Sequence, residues 1–590
     1  MKKNYLKTTK LNIQDENKTD NLRYLGDWCF NLEKKLKIKS DYYLKSQDKK
    51  EEKFEYILKL KDRVLLSLID NLNNRHNINK GLSYWNFLIG PWLIQFLQVL
   101  YDRWLSIENN ADNYKNDTYT ILGNIPEDII TPDEMHTAKH FYYHDLWNHF
   151  IYGEIIKFKN QINVEIRSVK LENLNQKIKS RLYRTNLKKK IINKIFFFSK
   201  LFYSKNKTNK IIFSSDLHYI FQIKLFLKFK QFPIFLNLPP NYSSNEIDKN
   251  ARREKIDIEI SNGFEEFVSF NFLKYLPKSL LENYKTIEKI NTKFYQKFKS
   301  ENYFIPQLEI CDQLKFFLAS QERSNKILYQ HGGAYGFLNY HYRELIEIQV
   351  SDYFLTFGWD RKNAQKYLNE KDKKKIIEFY PVHLRNKKIN TQSNNTIYLI
   401  LDEFPNYFYE YHSNYDAHTY RLYFQGILDF ISNLDETVKE KLIVRLYPEK
   451  HNEDAHQILK NKFPWLKIDY GNTDLNKKII KSKLCIIANN STTFLDTFRS
   501  NVPTILFWDK KIIESRKSCE KYLELLSKIG VYYDNPQSAA LFCNNNKNIY
   551  KWWNDKKRKL TIKDFLRIFA NDGNNNIDNL YKILNSEKKN

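Results

Sequence analysis

A chain of 590 residues, 42% hydrophobic, 16% aromatic and 28% charged, is too long for one core and too apolar for a disordered protein. Its formal net charge of +27 calls for anionic partners: nucleic acid, an anionic membrane surface or anionic substrates. The basic residues are dispersed apart from a denser stretch at 188–210, with no RNA-recognition, zinc-finger or basic-zipper pattern, so nucleic acid is not an expected partner.

The first twenty residues carry charge but no apolar run, which argues against a signal peptide. A strand near 23–25 opens a mostly helical region, with an amphipathic helix over 53–72. The longest apolar stretch, 87–101, is too short to span a bilayer and contains Pro91, Gln95 and Gln98. It reads as a buried helix entered at Pro91. After a break at 126–132, a helix is expected over 133–160. His136, His140 and His144 recur on it at i, i+4 and i+8, which puts three imidazoles on one face. A metal site and a packing role both fit that spacing. The surrounding Tyr142, Tyr143, Trp147 and Phe150 favour packing, and no metal is expected.

Residues 188–205 interleave basic and aromatic side chains, suiting either the inner leaflet of a membrane or a core helix. Short apolar runs at 210–214, 232–238, 325–330, 352–357 and 376–380 alternate with helical segments, the pattern of βαβ units and a parallel sheet. The polar stretch 386–395 reads as an interdomain linker. A second series follows, with strands at 396–401, 441–446, 467–470, 485–488, 504–508 and 531–533. Helices are expected at 419–434 and 453–463, and terminal helices over 549–584. The expected fold is α/β: two Rossmann-like domains with a helical N-terminal elaboration and C-terminal helices. The expected divisions are 1–390, 391–545 and 546–590.

Ligands of open α/β sheets sit at the carboxyl ends of strands, so three polar strand ends matter most. His331 ends one strand and is followed by Gly332 and Gly333, whose backbone can approach a ligand closely. It reads as a general base, a phosphate ligand or a loop histidine satisfied by the backbone. Arg445, with Lys450 beyond Pro448, reads as a phosphate grip or a salt-bridged strand-edge arginine. Ser491, Thr492 and Thr493 crowd a helix start, which reads as a phosphate site or a plain N-cap. Asp496, one turn in, reads as a ribose contact or as reinforcement of the helix start. The chain lacks the P-loop, the G-x-G-x-x-G fingerprint, the G-x-S-x-G elbow and any Asp-x-Asp, so neither a cofactor nor carboxylate-held Mg²⁺ is expected. The five cysteines, Cys29, Cys311, Cys485, Cys519 and Cys543, are odd in number and fit a reducing cytoplasm.

Several motifs together resemble a known family. They include Leu25-Gly26-Asp27-Trp28-Cys29, Gly90-Pro91-Trp92-Leu93 and Asp145-Leu146-Trp147-Asn148-His149. Stronger are Gln330-His331-Gly332-Gly333-Ala334-Tyr335-Gly336, Ser351-Asp352-Tyr353-Phe354 with Gly358-Trp359, Arg445-Leu446-Tyr447-Pro448 and the run from Asn490 to Asp496 with Val502-Pro503-Thr504. In order and spacing they resemble the LIC-type transferase family of bacterial surface-polysaccharide biosynthesis. More distantly they resemble two-domain (GT-B) CMP-sugar glycosyltransferases and CDP-glycerol glycerophosphotransferases. The resemblance implies a metal-independent glycosyltransferase, cytoplasmic or peripheral on the inner membrane. It implies a nucleotide-activated donor, such as a CMP-sugar, and a saccharide or lipid-linked acceptor. His331 is then implied in acceptor activation, and Arg445, Lys450, Ser491, Thr492, Thr493 and Asp496 in donor binding. Transfer of a polyol phosphate from a CDP-activated donor and a non-catalytic scaffold of polysaccharide assembly are the alternatives.

Overall fold

Parallel strands gather into three sheets. The computed structural model describes residues 3–11, 21–37, 49–123, 129–167, 210–212, 227–228, 242–295, 300–305, 308, 312–381, 384, 395–448, 455–572, 578 and 581–582. The α/β class with parallel sheets is as expected from sequence. The strand expected at 232–238 and the basic-aromatic stretch 188–205 lie outside the described residues, as does the linker 386–395 except Asn395.

The N-terminal region is helical but also holds a sheet that the sequence reading reduced to one strand. Strands β1 (Asn4–Lys7), β2 (Asn21–Tyr24), β3 (Thr118–Leu122) and β4 (Asn163–Arg167) pair in parallel in the order β2-β1-β3-β4. These strands are four or five residues long. Long helices separate β2 from β3 and β3 from β4, so no local alternation links them. The helices are α1 (Lys50–His76), α2 (Leu82–Glu108), α3 (Glu134–Tyr143) and α4 (Asp145–Lys159).

Helix α2 corrects one expectation. It starts at Leu82 and runs through Pro91 rather than being entered there. Proline costs a helical hydrogen bond, but α2 is buried on nearly every side, and packing of that extent overrides local propensity. A second correction concerns residues 133–160. The helix breaks at His144, which caps α3 at its C-terminus and α4 at its N-terminus, its Nδ1 accepting from the Trp147 amide at 3.0 Å. The three imidazoles therefore do not share one continuous helical face.

Strands β5 (Lys210–Ile212), β6 (Asn302–Ile305), β7 (Asn325–Tyr329), β8 (Tyr353–Leu355) and β9 (Ile376–Ile377) form the second sheet in sequential order. Helix α5 (Tyr342–Val350) connects β7 to β8. The third sheet comprises β10 (Ile397–Ile400), β11 (Leu442–Arg445), β12 (Lys467–Asp469), β13 (Leu484–Ile487), β14 (Thr504–Phe507) and β15 (Tyr532–Tyr533). Its order is β12-β11-β10-β13-β14-β15, all parallel. That is the doubly wound 3-2-1-4-5-6 pattern, whose order reverses between β10 and β13. Strands β10, β13 and β14 are wholly buried, as strands covered on both faces must be.

Helix α6 (Tyr420–Ser432) follows β10, α7 (Thr492–Arg499) joins β13 to β14, and α8 (Lys517–Lys528) follows β14. Near the C-terminus lies α9 (Lys556–Phe569). One hydrophobic core unites the N-terminal helices with the second sheet, and another surrounds the third sheet. Tyr407, Tyr409 and Tyr411 follow β10 yet belong to the first core, so residues 401–419 strap the third sheet to the N-terminal body. No helix among the described residues is long and apolar enough to cross a membrane.

Candidate functional site

The apolar strand β13 ends at two asparagines. Ser491 is extended there (φ −111°, ψ 164°) and starts α7, but its side chain makes no capping bond. The helix holds its place through buried Phe494, Leu495 and Phe498. Its opening amides are therefore left without a side-chain acceptor, the local condition for anion binding. Beside it, past the end of β10, the Asp402 carboxylate accepts from Asn489 Nδ2 at 2.5 Å and from the Glu403 amide at 3.0 Å. Burial pushes the Asp402 carboxyl up to about 6, against the downward pull of those two bonds. Asn490 is 3% exposed, and neither its amide nitrogen nor its oxygen has a hydrogen-bond partner. A buried amide so placed is expensive unless a ligand completes it. These groups stand at the reversal of strand order, where α/β sheets of this type bind ligands.

The second half of the site follows β7. Gln330 pins the loop, accepting from the Phe357 amide at 2.9 Å and Trp359 Nε1 at 2.7 Å, and donating to the Gly332 carbonyl at 2.7 Å. Gly336 has φ +72°, and a Cβ there would lie 2.4 Å from the Trp359 ring, so only glycine fits. His331 Nε2 is 2.8 Å from Tyr335 Oη and 3.3 Å from Glu347 Oε1. Tyr335 Oη in turn donates to Glu347 Oε2 at 3.0 Å. Burial, with Glu347 close by, pushes the Tyr335 phenol well above its usual range, so it stays protonated. Its single proton goes to Glu347, so the proton between Tyr335 and the imidazole belongs to His331 Nε2. This tautomer puts the imidazole lone pair on Nδ1.

The two halves touch. The Gly333 amide donates to Thr492 Oγ1 at 2.9 Å. A Cβ on Gly333 would sit 3.0 Å from Thr492 Cα and 3.0 Å from Leu495 Cδ1, so close approach requires glycine. A second tie lies behind the first. Arg516, just before α8, grips both oxygens of Glu344 on α5 at 2.7 and 2.6 Å, and Glu344 Oε2 accepts from the Gly336 amide at 2.8 Å. Helix α5 thus presents Glu347 to His331 and Glu344 to Arg516.

The remaining expected residues are distributed differently. Arg445 ends β11, buried, donating to Asp469 at 2.9 Å and to the carbonyls of Thr473 at 2.6 Å and Gly471 at 3.1 Å. This is the salt-bridged arrangement, and it orders the turn after β12. Lys450 lies outside the described residues. Thr493 and Asp496 lie on α7 and are partly exposed. The histidines of the N-terminal region are used locally: His136 Nδ1 meets Asp133 at 2.7 Å, His140 Nδ1 meets the His136 carbonyl at 2.7 Å, and the His140 and His144 rings stack at 4.6 Å.

Sequence reasoning gave no catalytic or ligand-binding role to Tyr335, Glu347, Asp402, Asn489 or Asn490, reading the two asparagines only as a strand stop and helix caps. The two glutamates of α5, spaced i and i+3, were the only local signal for the histidine's partner. Nothing in the sequence joins Asp402 to Asn489.

A family model described as LIC12162 family transferase matches residues 5–584. No curated protein matches the chain. Among solved structures, a variant of the wall teichoic acid polymerase TagF is 13% identical over 50% of this chain and 74% of that one, with a TM-score of 0.30. S. aureus MnaA in its UDP co-structure is 11% identical over 55% and 87% (TM-score 0.33). The α,α-trehalose 6-phosphate synthase of Burkholderia multivorans is 10% identical over 52% and 75% (TM-score 0.31).

Proposed function

The chain belongs to the LIC12162 family of transferases, and from that premise we propose that it is a glycosyltransferase moving a sugar from a nucleotide-activated donor to a saccharide or lipid-linked acceptor. One observation carries the reading: a histidine hydrogen-bonded through Nε2 to Tyr335 and Glu347 is joined, through Gly333 and Thr492, to an uncapped helix start. Glycosyl transfer needs a base for the acceptor hydroxyl and a stabiliser for the leaving phosphate, and these are the two functions that the histidine and the helix start would supply.

In this reading His331 Nδ1 removes the proton of an acceptor hydroxyl. The oxygen attacks the anomeric carbon as the bond to the donor phosphate breaks. The leaving phosphate takes the bonding electrons, and its charge falls on the opening amides of α7 with the hydroxyls of Ser491, Thr492 and Thr493. Asn490 completes its amide on the donor. Asp496 stands one turn along the helix and is assigned to the donor ribose. Arg445 contributes by ordering the turn at Gly471 and Thr473. The net charge of +27 favours encounter with an anionic donor.

A thermal-shift panel of CMP, CDP, UDP and GDP ligands tests the donor assignment. Stabilisation by one nucleotide class supports it and names the base; no shift with any of them contradicts it and favours a scaffold. With the donor known, His331→Ala must abolish turnover while leaving that shift in place.

A further inference from the structure

The outer side of the C-terminal helices plays no part in the site. Helix α9 packs inward through Ile562, Phe565 and Phe569, the Phe565 ring lying 6.0 Å from both Phe494 and Phe498 of α7. On its opposite side Lys556, Leu560, Lys563 and Arg567 fall at i, i+4, i+7 and i+11, a single exposed stripe flanked by Lys557. The short helix Ile549–Trp553 just before it exposes Tyr550 and Lys551. Between Leu541 and Phe569 the chain has eight lysines and arginines against Asp555 and Asp564.

Charge alone describes a solvated face. Two large exposed apolar side chains among these basic residues of the chain change the reading. Tyr550 is 75% exposed, the most exposed of the large hydrophobic residues among the described residues, and Leu560 is 54% exposed in the middle of the lysine stripe. An anionic bilayer rewards both kinds of side chain at once: lysines at the headgroups, and an aromatic and an aliphatic side chain at the acyl boundary.

We propose that these exposed residues of the two successive helices, Tyr550, Lys551, Lys556, Lys557, Leu560 and Lys563, together dock the protein on an anionic lipid surface. The inference is independent of the donor and acceptor assignments, since neither ligand takes part in the docking.

The test is co-sedimentation of the full-length chain with phosphatidylcholine vesicles, with and without an equal part of phosphatidylglycerol. Wild type binds the anionic vesicles. Reversal of Lys551, Lys556, Lys557 and Lys563 to Glu lowers the partition coefficient at least about tenfold. The pair Tyr550→Ser and Leu560→Ser lowers it about fivefold with all charges kept. A control reversal at the exposed Lys462, Lys467, Lys477 and Lys481, towards the β12 edge of the third sheet, changes it less than about twofold. All these side chains are largely exposed, and an unchanged unfolding midpoint shows that each variant is folded. Equal losses from the two sets of reversals would overturn the proposal, since net charge alone would then account for binding. An apolar pair that leaves vesicle binding intact would also overturn it and make the face a general polyanion surface, which duplex DNA would then occupy equally well.

Discussion

The Gly333 amide donates to Thr492 Oγ1 at 2.9 Å, so the loop that carries the histidine is bonded to the first turn of the helix that would carry the donor. Thr492→Val keeps the volume and removes the acceptor. The lost bond is worth about 1 kcal/mol, and kcat/KM should fall about five- to tenfold with little change in unfolding midpoint. Gly333→Ala should cost more, because its Cβ would press on the Thr492 backbone 3.0 Å away rather than on a flexible side-chain end. Steady-state kinetics on the two variants check this order; wild-type turnover in both would remove the contact from the site.

His331 depends on Glu347 both directly and through Tyr335. Glu347→Gln keeps the shape but removes the anion that stabilises the imidazolium formed as the acceptor proton is taken. The expected result is a loss in kcat of about 10²-fold or more, with KM little changed. The acidic limb of the pH–rate profile should also move to lower pH, because without the carboxylate the imidazole binds its second proton more weakly. Tyr335→Phe should give a smaller loss and a smaller movement of that limb. A glutamate with only a packing role would lower stability without moving the limb, and the two effects are separately measurable.

Asn490 sets up a contrast between stability and binding. Its buried amide lacks partners, a condition that costs about 1–3 kcal/mol in a folded protein. Asn490→Leu should therefore leave the unfolding midpoint unchanged or raise it, while reducing the donor-induced thermal shift by at least half. A structural asparagine would show the reverse: a lower midpoint and an intact ligand response.

What the sequence disclosed follows from the range of the interactions. The third sheet was legible because its strands are continuous apolar runs closed by polar turns, as at β13 and α7. The loop at His331 was legible because glycines mark places where backbone must come close. The N-terminal sheet was not, since β2 and β3 are separated by two long helices. Three pairings that build the site, Gly333 with Thr492, Asp402 with Asn489 and Glu344 with Arg516, span 159, 87 and 172 positions. Local periodicity has no reach over such distances. Arg445 shows the converse limit: its residue type and strand-end position suited a phosphate and an ion pair equally, and the fold supplied Asp469.

Arg516 and Glu344 form a buried pair linking α5 to the segment before α8, with side-chain exposures of 5% and 0%. Removing one member leaves the other charged and unpaired. Arg516→Met should destabilise by about 3–5 kcal/mol, whereas the double variant with Glu344→Gln should recover a large part of that loss. A double-mutant cycle by urea denaturation measures the coupling. A coupling near zero would mean that the two ends of the tie are held by their other bonds, Arg516 by the Leu338 carbonyl and Glu344 by the Gly336 amide.

The strap at residues 401–419 should make the fold acid-labile in a defined window. Burial alone would raise the carboxyls of Asp416 and Glu410, but the Lys50 ammonium, 2.9 Å from Asp416, and the Arg343 guanidinium, 2.8 Å from Glu410, reverse that effect and hold each at about 2. In the unfolded chain they titrate near 3.8 and 4.5. Between those values and about 2 the unfolded state binds more protons, so their contribution is complete above about pH 5 and is lost as pH falls towards 2. Each carboxylate accounts for roughly 2–3.5 kcal/mol of that dependence. Asp416→Asn and Glu410→Gln should each lower stability at pH 7, because Lys50 and Arg343 lose their counter-ions, yet flatten the fall between pH 5 and pH 3. Urea midpoints at these pH values decide the matter: variants as steep as wild type would place the acid sensitivity elsewhere in the chain.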